Sequence, residues 1–176
     1  MIYLDIFILV ILILISWQDF RYRAISWIFI PVLAALFILY ALLSLDYTSV
    51  FTNFLSNAGF LCIQYLILTI YFSLKYKKIT NIINKSIGIG DILFFIVLCF
   101  YFSPINFIIF STISLLLITL FFGVWQLVRK SRNMQIPLAG ALSIFLFVMI
   151  IGKDFLYSFS LYDDFYVTQF LQLLYV

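Results

Sequence analysis

Residues 105–128 read INFIIFSTISLLLITLFFGVWQLV and contain no charged side chain. A helix that crosses the hydrocarbon core of a bilayer needs about 20 mostly apolar residues, and this stretch supplies them. Similar apolar runs recur along the chain. The six predicted spans are 2–18, 25–45, 54–74, 85–103, 105–128 and 136–152. The alternating pattern of a membrane β-barrel is absent, so the spans are predicted to be α-helices.

The overall composition agrees with a membrane protein. Of 176 residues, 66% are hydrophobic and 10% are charged, whereas soluble domains have about 25% charged residues. This supply cannot cover a water-facing surface, which excludes a soluble globular enzyme, and the 21% aromatic content excludes disorder. We therefore predict an all-α polytopic membrane protein that forms a single domain over residues 1–176. The apolar stretch 165–174 is predicted to form a short helix at the membrane interface.

The residue types that are missing exclude several kinds of active site. The chain has no His and no Glu, and its seven acidic residues are all Asp. A Ser-His-Asp triad, a Cys-His pair and a zinc site with His ligands are therefore impossible. Cys62 and Cys99 each lie alone in an apolar run, so both are expected to be buried and unreactive. No metal and no cofactor are predicted.

The basic residues indicate how the chain is oriented. Nine of the ten Lys and Arg residues fall in the loops after the first, third and fifth spans, and only Lys153 falls on the other side. The nine are Arg21, Arg23, Lys75, Lys77, Lys78, Lys85, Arg129, Lys130 and Arg132. The positive-inside rule then places these loops in the cytoplasm and both termini outside, in the cytoplasmic (inner) membrane. Anionic lipids of the bilayer are the expected partners of this charge, and nucleic acid is not.

Only two acidic residues, Asp19 and Asp91, lie on the predicted cytoplasmic side. The apolar run after Asp91 has 11 residues, which as a helix is about 16 Å, or half the hydrocarbon thickness. The helix must therefore begin upstream, which draws Gly88, Gly90 and Asp91 below the membrane surface. An ionisable group at that depth is a candidate functional group. The alternative is an Asp that pairs with Lys85 or caps the start of the helix.

Two carboxyl groups in one dry site can hydrolyse a peptide bond with water. They do not both ionise readily, so one stays protonated and can donate to a carbonyl oxygen. The ionised partner can take a proton from water. Two other readings remain open: a proton-coupled transporter that uses the two Asp as a relay, and a membrane scaffold without chemistry. Against the relay, no acidic residue continues from the pair toward the other face.

Three fragments resemble the type IV prepilin peptidase family of intramembrane aspartyl proteases. They are residues 88–91 (GIGD), 19–25 (DFRYRAI) and 136–142 (IPLAGAL). The resemblance implies an aspartic endopeptidase that removes the leader of prepilin-like membrane proteins on the cytoplasmic side. Asp19 and Asp91 would be the catalytic dyad, with the acid and the base unassigned. Gly88 and Gly90 would allow close backbone approach or an unwound helix start that binds the substrate. The alternative is that they serve helix packing alone.

The sequence departs from the family pattern at its periphery. Ser26 and Trp27 stand where Pro-Asn is usual, and Leu93 stands where Lys is usual. These changes affect the expected substrate preference more than the chemistry. The CxxC region associated with N-methylation is not expected, so that second activity is not implied. Arg21 and Arg23 would either tune the dyad or serve topology.

Overall fold

Six α-helices make up the described part of the chain in a computed structural model, which covers residues 2–76, 88–129, 136–155, 161, 162 and 164. The helices are α1 (Ile2–Tyr22), α2 (Phe29–Ser44), α3 (Tyr47–Tyr76), α4 (Ile89–Leu98), α5 (Pro104–Arg129) and α6 (Leu138–Phe155). These ranges contain no strand, so the all-α prediction is confirmed. By length and composition α1, α3 and α5 can each cross a membrane, while α2, α4 and α6 are shorter apolar helices. The predicted interfacial helix within 165–174 lies outside the described residues.

Prolines lie at the starts of three helices. Pro104 is the first residue of α5, Pro31 lies in the first turn of α2, and Pro137 directly precedes α6. The first turn of a helix has N–H groups without partners inside the helix, so a residue that lacks an N–H costs nothing there. The chain has three prolines in all, so none interrupts a helix.

The interface between α1 and α6 is the most extensive between any two helices. The buried face of α1 carries Ile8, Leu12 and Ile15, and α6 presents small side chains at Ala139 and Ser143, both fully buried. Apolar lipid provides little hydrophobic drive for helices to associate, so close packing through small residues stabilises such an interface. The same face of α1 has a buried carboxylate near each end, Asp5 and Asp19. Because Asp19 follows Asp5 by 14 positions, these two residues lie about 21 Å apart along the helix.

α4 is shorter than the predicted span 85–103. The helix runs from Ile89 to Leu98, about 15 Å, and residues 99–103 form a turn before α5. The buried side chain of Asn57 on α3 donates from Nδ2 to the Cys99 carbonyl at 3.0 Å and to the Phe102 carbonyl at 2.8 Å. These bonds satisfy carbonyls that a continued helix would have bonded itself, so the span prediction is wrong at this end. Residues 85–87, the predicted upstream part, lie outside the described residues.

At the end of the bundle far from Asp19, an ion pair lies beside packed aromatic rings. The Lys153 ammonium is 3.4 Å from an Asp5 carboxylate oxygen and donates to the Tyr40 hydroxyl at 2.9 Å. The Tyr40 ring stacks on Tyr162 and meets the buried ring of Tyr101 edge-on. This cluster ties the start of α1, the end of α2 and the end of α6 together.

The outer surface of the bundle is apolar, as a lipid-facing surface requires. Leu127 and Val128 on α5 and Leu74 on α3 are each more than 70% exposed. Cys62 is also exposed, whereas Cys99 is buried. The expectation of burial was therefore right for Cys99 and wrong for Cys62, which lies on the outward face of α3 beside the exposed Ile63.

Candidate active site

Two carboxylates from different helices meet at the start of α6. Asp19, near the end of α1, accepts a hydrogen bond at Oδ2 from the backbone N–H of Gly140 at 2.6 Å. Asp91, in the first turn of α4, accepts one at Oδ1 from the backbone N–H of Ala139 at 2.9 Å. Because the two donors are consecutive amides, the two accepting oxygens lie no more than about 8 Å apart. The structure therefore brings together the two acidic residues that the sequence singles out.

The first turn of α6 is a suitable place for two acidic groups. Hydrogen bonding along α6 begins with the Ala141 N–H, which bonds to the Pro137 carbonyl. The N–H groups of Ala139 and Gly140 therefore have no carbonyl partner inside the helix. They point at the carboxylates, and the positive end of the helix dipole stabilises negative charge there. The cation of Arg23 also interacts favourably with the Asp19 carboxylate.

Gly140 lies where α1 and α6 approach each other closely. A Cβ atom at this position would lie 3.0 Å from both Cβ and Oδ2 of Asp19 and 3.1 Å from Cδ2 of Phe20. Contacts this short force the neighbours to shift, and the short hydrogen bond to Asp19 would lengthen. Gly140 lies in the fragment 136–142, which carries part of the family resemblance, but sequence analysis assigned it no role in the site. Ala139 was not predicted either, because it contributes a backbone N–H, which the identity of its side chain does not reveal.

Gly88 and Gly90 differ in the residues that they contact. Gly88 precedes α4 in an extended conformation, and its N–H donates to Oδ2 of Asp91 at 3.2 Å. A Cβ on Gly88 would approach that same oxygen to 3.1 Å, whereas one on Gly90 would meet only the side chain of Ile25, at an ordinary distance of 3.5 Å or more. Asp91 thus caps the start of α4, as the alternative prediction had it, and also reaches α6. Its other predicted partner, Lys85, lies outside the described residues.

The two carboxylates are not equally accessible. Asp19 is 6% exposed, whereas Asp91 is half-buried, so the pair is more open to solvent at Asp91. Tyr65 on α3 lies near enough for its phenol to interact electrostatically with Asp91, and sequence analysis did not find this neighbour. Within the described ranges, no group of three or more His, Cys, Asp or Glu side chains could hold a metal ion.

The loop after α1 is fixed against both carboxylate-bearing helices. Arg23 closes α1 with φ of 55°, a left-handed conformation that is uncommon for a residue with a side chain. The next residues turn back, so that the Ser26 N–H donates to Oε1 of Gln18 at 2.9 Å. Ile25 then packs on Gly90. The loop therefore links the end of α1 to the start of α4.

The residues that depart from the family pattern lie in the loop after α1 and in the first half of α4. The Ser26 N–H makes the hydrogen bond to Gln18, and a proline at this position would have no N–H to donate. Leu93 and Trp27 are exposed on the surface of the bundle. Arg21 stacks on Trp17 and Tyr22.

Comparisons of this chain with protein-family models, with curated proteins and with solved structures find no match. The resemblance to prepilin peptidases therefore stays a prediction that depends on the three sequence fragments. What the structure adds is independent of it: all three fragments, residues 19–25, 88–91 and 136–142, meet at one place.

Proposed function

We propose that this protein is a membrane-embedded aspartic endopeptidase that removes the leader peptide of prepilin-like substrates. The observation that supports this most strongly is the convergence of Asp19 and Asp91 on the consecutive amides of Ala139 and Gly140. These residues are far apart in the sequence, and burying acidic groups in an apolar bundle is unfavourable. Such an arrangement is expected where the groups perform chemistry together.

Asp19 and Asp91 can hydrolyse a peptide bond without a covalent intermediate. The ionised carboxylate takes a proton from a water molecule, and the water oxygen bonds to the carbonyl carbon of the peptide. The protonated carboxyl group donates its proton to the carbonyl oxygen. When the C–N bond breaks, a proton moves to the leaving nitrogen and the carbonyl re-forms. The pair shares protons as a unit, so either residue can start as the acid.

The position of the two carboxylates suits cleavage of a peptide bond next to the transmembrane helix of a substrate. Asp19 lies in the last turn of α1 and Asp91 in the first turn of α4, so the pair is at the end of the bundle where the apolar runs stop. The extended backbone at Gly88 precedes α4 beside the more accessible carboxylate. An unfolded segment before a substrate's apolar helix could reach this point. We place this end in the cytoplasm because most basic residues of the sequence follow the helices that end there.

The α1–α6 interface gives no support to the proton-coupled transporter. Between the Asp19 end and the Asp5 end, Ser143 is the one buried polar side chain in the described residues of α1 and α6, and its hydroxyl donates to the Ala139 carbonyl of its own helix. The large buried side chains along the rest of this path are apolar and cannot carry a proton. They are Ile8, Leu12, Ile15, Leu142, Leu146 and Ile150. A relay across the membrane needs titratable groups or ordered water along its path. A hydrolase needs the two carboxylates at one end only.

Co-expression with a candidate substrate tests the proposed function. A suitable substrate is a small protein from a neighbouring gene with a basic leader followed by an apolar helix. Mass spectrometry should find its N-terminus at the junction between leader and helix in cells with the wild-type protein. Cells with the Asp19→Asn/Asp91→Asn double variant should keep the full leader. An intact leader in wild-type cells, across several such substrates, would contradict the peptidase proposal.

A further inference from the structure

A groove runs along the outside of the α1–α6 interface. It has a volume of about 620 Å³, is open to the surface, and is bordered almost entirely by apolar atoms. The side chains that define its two walls include Leu12, Trp17 and Arg21 of α1 and Ser143, Ile144 and Phe147 of α6. The Ser143 hydroxyl donates to the Ala139 carbonyl of its own helix, so it does not need a partner in the groove.

The one charged residue among those that line the groove, Arg21, lies at its Asp19 end. The guanidinium carbon of Arg21 is 5.5 Å from the ring centres of both Trp17 and Tyr22. Aromatic rings that hold a cation at the end of an apolar helix are typical of the level of lipid head groups. A guanidinium held in this way can bind a phosphate with two parallel hydrogen bonds.

The length of the groove fits a lipid tail better than a protein helix. From Leu12 to Arg21 the helix rises about 14 Å, close to half of the roughly 30 Å hydrocarbon thickness. One acyl chain occupies one leaflet, so its tail would fill the groove when its head group is at Arg21. A transmembrane helix of a partner would need a contact surface about twice as long.

We propose that this groove binds one anionic phospholipid, with an acyl chain between α1 and α6 and the phosphate on Arg21. The bound lipid covers an apolar surface at the interface that carries Asp19. This inference does not depend on the peptidase proposal, because it concerns binding alone.

Native mass spectrometry of the purified protein tests the lipid site. Micelles would contain equal amounts of phosphatidylglycerol and phosphatidylcholine. Wild type should retain one phosphatidylglycerol in preference to phosphatidylcholine. Arg21→Gln should reduce that preference about fivefold, the effect of one basic residue at a membrane surface. The matched control is Lys75→Gln, since Lys75 also lies over an aromatic ring at a helix end but does not line the groove.

A second pair of variants tests whether the acyl chain of the lipid lies in the groove. Ile144→Trp puts a larger side chain into the groove and should lower retention of either lipid. Val148→Trp makes a similar change at an exposed position of α6 outside the groove and should leave retention unchanged. Equal retention of both lipids by wild type, or an equal loss in Arg21→Gln and Lys75→Gln, would overturn the proposal. A synthetic apolar helical peptide can be added to the same micelles. If Ile144→Trp keeps its lipid but no longer retains this peptide, the occupant of the groove is a protein segment and the proposal is overturned.

Discussion

Asp19 and Gly140 lie 121 positions apart in the chain. Their contact places one requirement on each residue. The carboxylate needs a donor in a buried place, and a side chain on the donor's own Cα would displace Asp19 or Phe20 because α1 is so close. The sequence identifies the first requirement, since an acidic residue at the end of an apolar run is conspicuous. It does not identify the second, because a glycine in a small-residue stretch is equally consistent with simple helix packing.

Gly140→Ala should therefore reduce leader cleavage strongly while the protein still folds. The added methyl group pushes against the Asp19 side chain and the Phe20 ring, which displaces the Asp19 carboxylate from its place beside the Gly140 N–H. Gly152→Ala on the same helix is the control, because a Cβ there meets no atom within 4 Å. That variant should keep full activity and gain up to about 1 kcal/mol of stability from the better helix former. Equal activity of the two variants in a cleavage assay would show that the Gly140 contact is unimportant.

Cleavage should follow a bell-shaped dependence on pH and should not require a metal ion. Activity needs one protonated and one ionised Asp, so it falls at low pH when both are protonated and at high pH when both are ionised. Asp19 and Asp91 with a few carbonyl oxygens make a poor cage for a divalent cation. The measurement is the cleavage rate in detergent across pH, with and without EDTA. Complete loss in EDTA that one divalent metal restores would favour a metal-assisted mechanism instead.

At the scale of elements, the short helix α4 determines where Asp91 lies. Two carbonyls in the turn that follows it, those of Cys99 and Phe102, are bonded by Asn57 of α3, and its N-terminus is held by Asp91 itself. The sequence predicted a helix over 85–103, extended upstream because the apolar run after Asp91 has only 11 residues. The stop at Leu98 could not be predicted, because it depends on a side chain that comes 42 residues before Cys99 in the chain.

Replacing Asn57 should destabilise the bundle and shift α4. Asn57→Leu keeps the number and branching of the side-chain heavy atoms but removes the donors to the Cys99 and Phe102 carbonyls. The expected cost is about 1–2 kcal/mol, since each hydrogen bond inside a membrane protein contributes about 0.6–1 kcal/mol. Thermal unfolding in detergent measures it. Thr69→Val removes an exposed hydroxyl that bonds only within α3 and should change the melting temperature little, so similar shifts in the two variants would contradict the role of Asn57.

For the whole molecule, the number and order of helices follow directly from the apolar runs. The way in which the helices pair does not. That α1 lies against α6 depends on complementary faces, with Asp5 near Lys153 at one end and Asp19 near Gly140 at the other. Each of these four residues is polar or small within an apolar helix, so the sequence marks them as unusual. Only the folded chain shows which ones are partners.

The orientation of the bundle in the membrane is a further prediction of the basic residues. Tags inserted at Asn81 and Ser131, which lie outside the described residues, should be shielded from reagents added to intact cells. A tag after Val176 should be reachable. A labelled Ser131 together with a shielded C-terminus would reverse the orientation and place the candidate site on the other side of the membrane.

The most direct test of the central claim is the rate at which purified variants cleave a prepilin-like substrate in detergent with EDTA present. Asp19→Asn and Asp91→Asn should each lower the rate at least about a hundredfold, because each removes one partner of the proton transfer. Asp46→Asn, which changes an exposed carboxylate outside the site, should cleave at the wild-type rate. Cleavage at the wild-type rate by either Asp19→Asn or Asp91→Asn would contradict catalysis by the two aspartates.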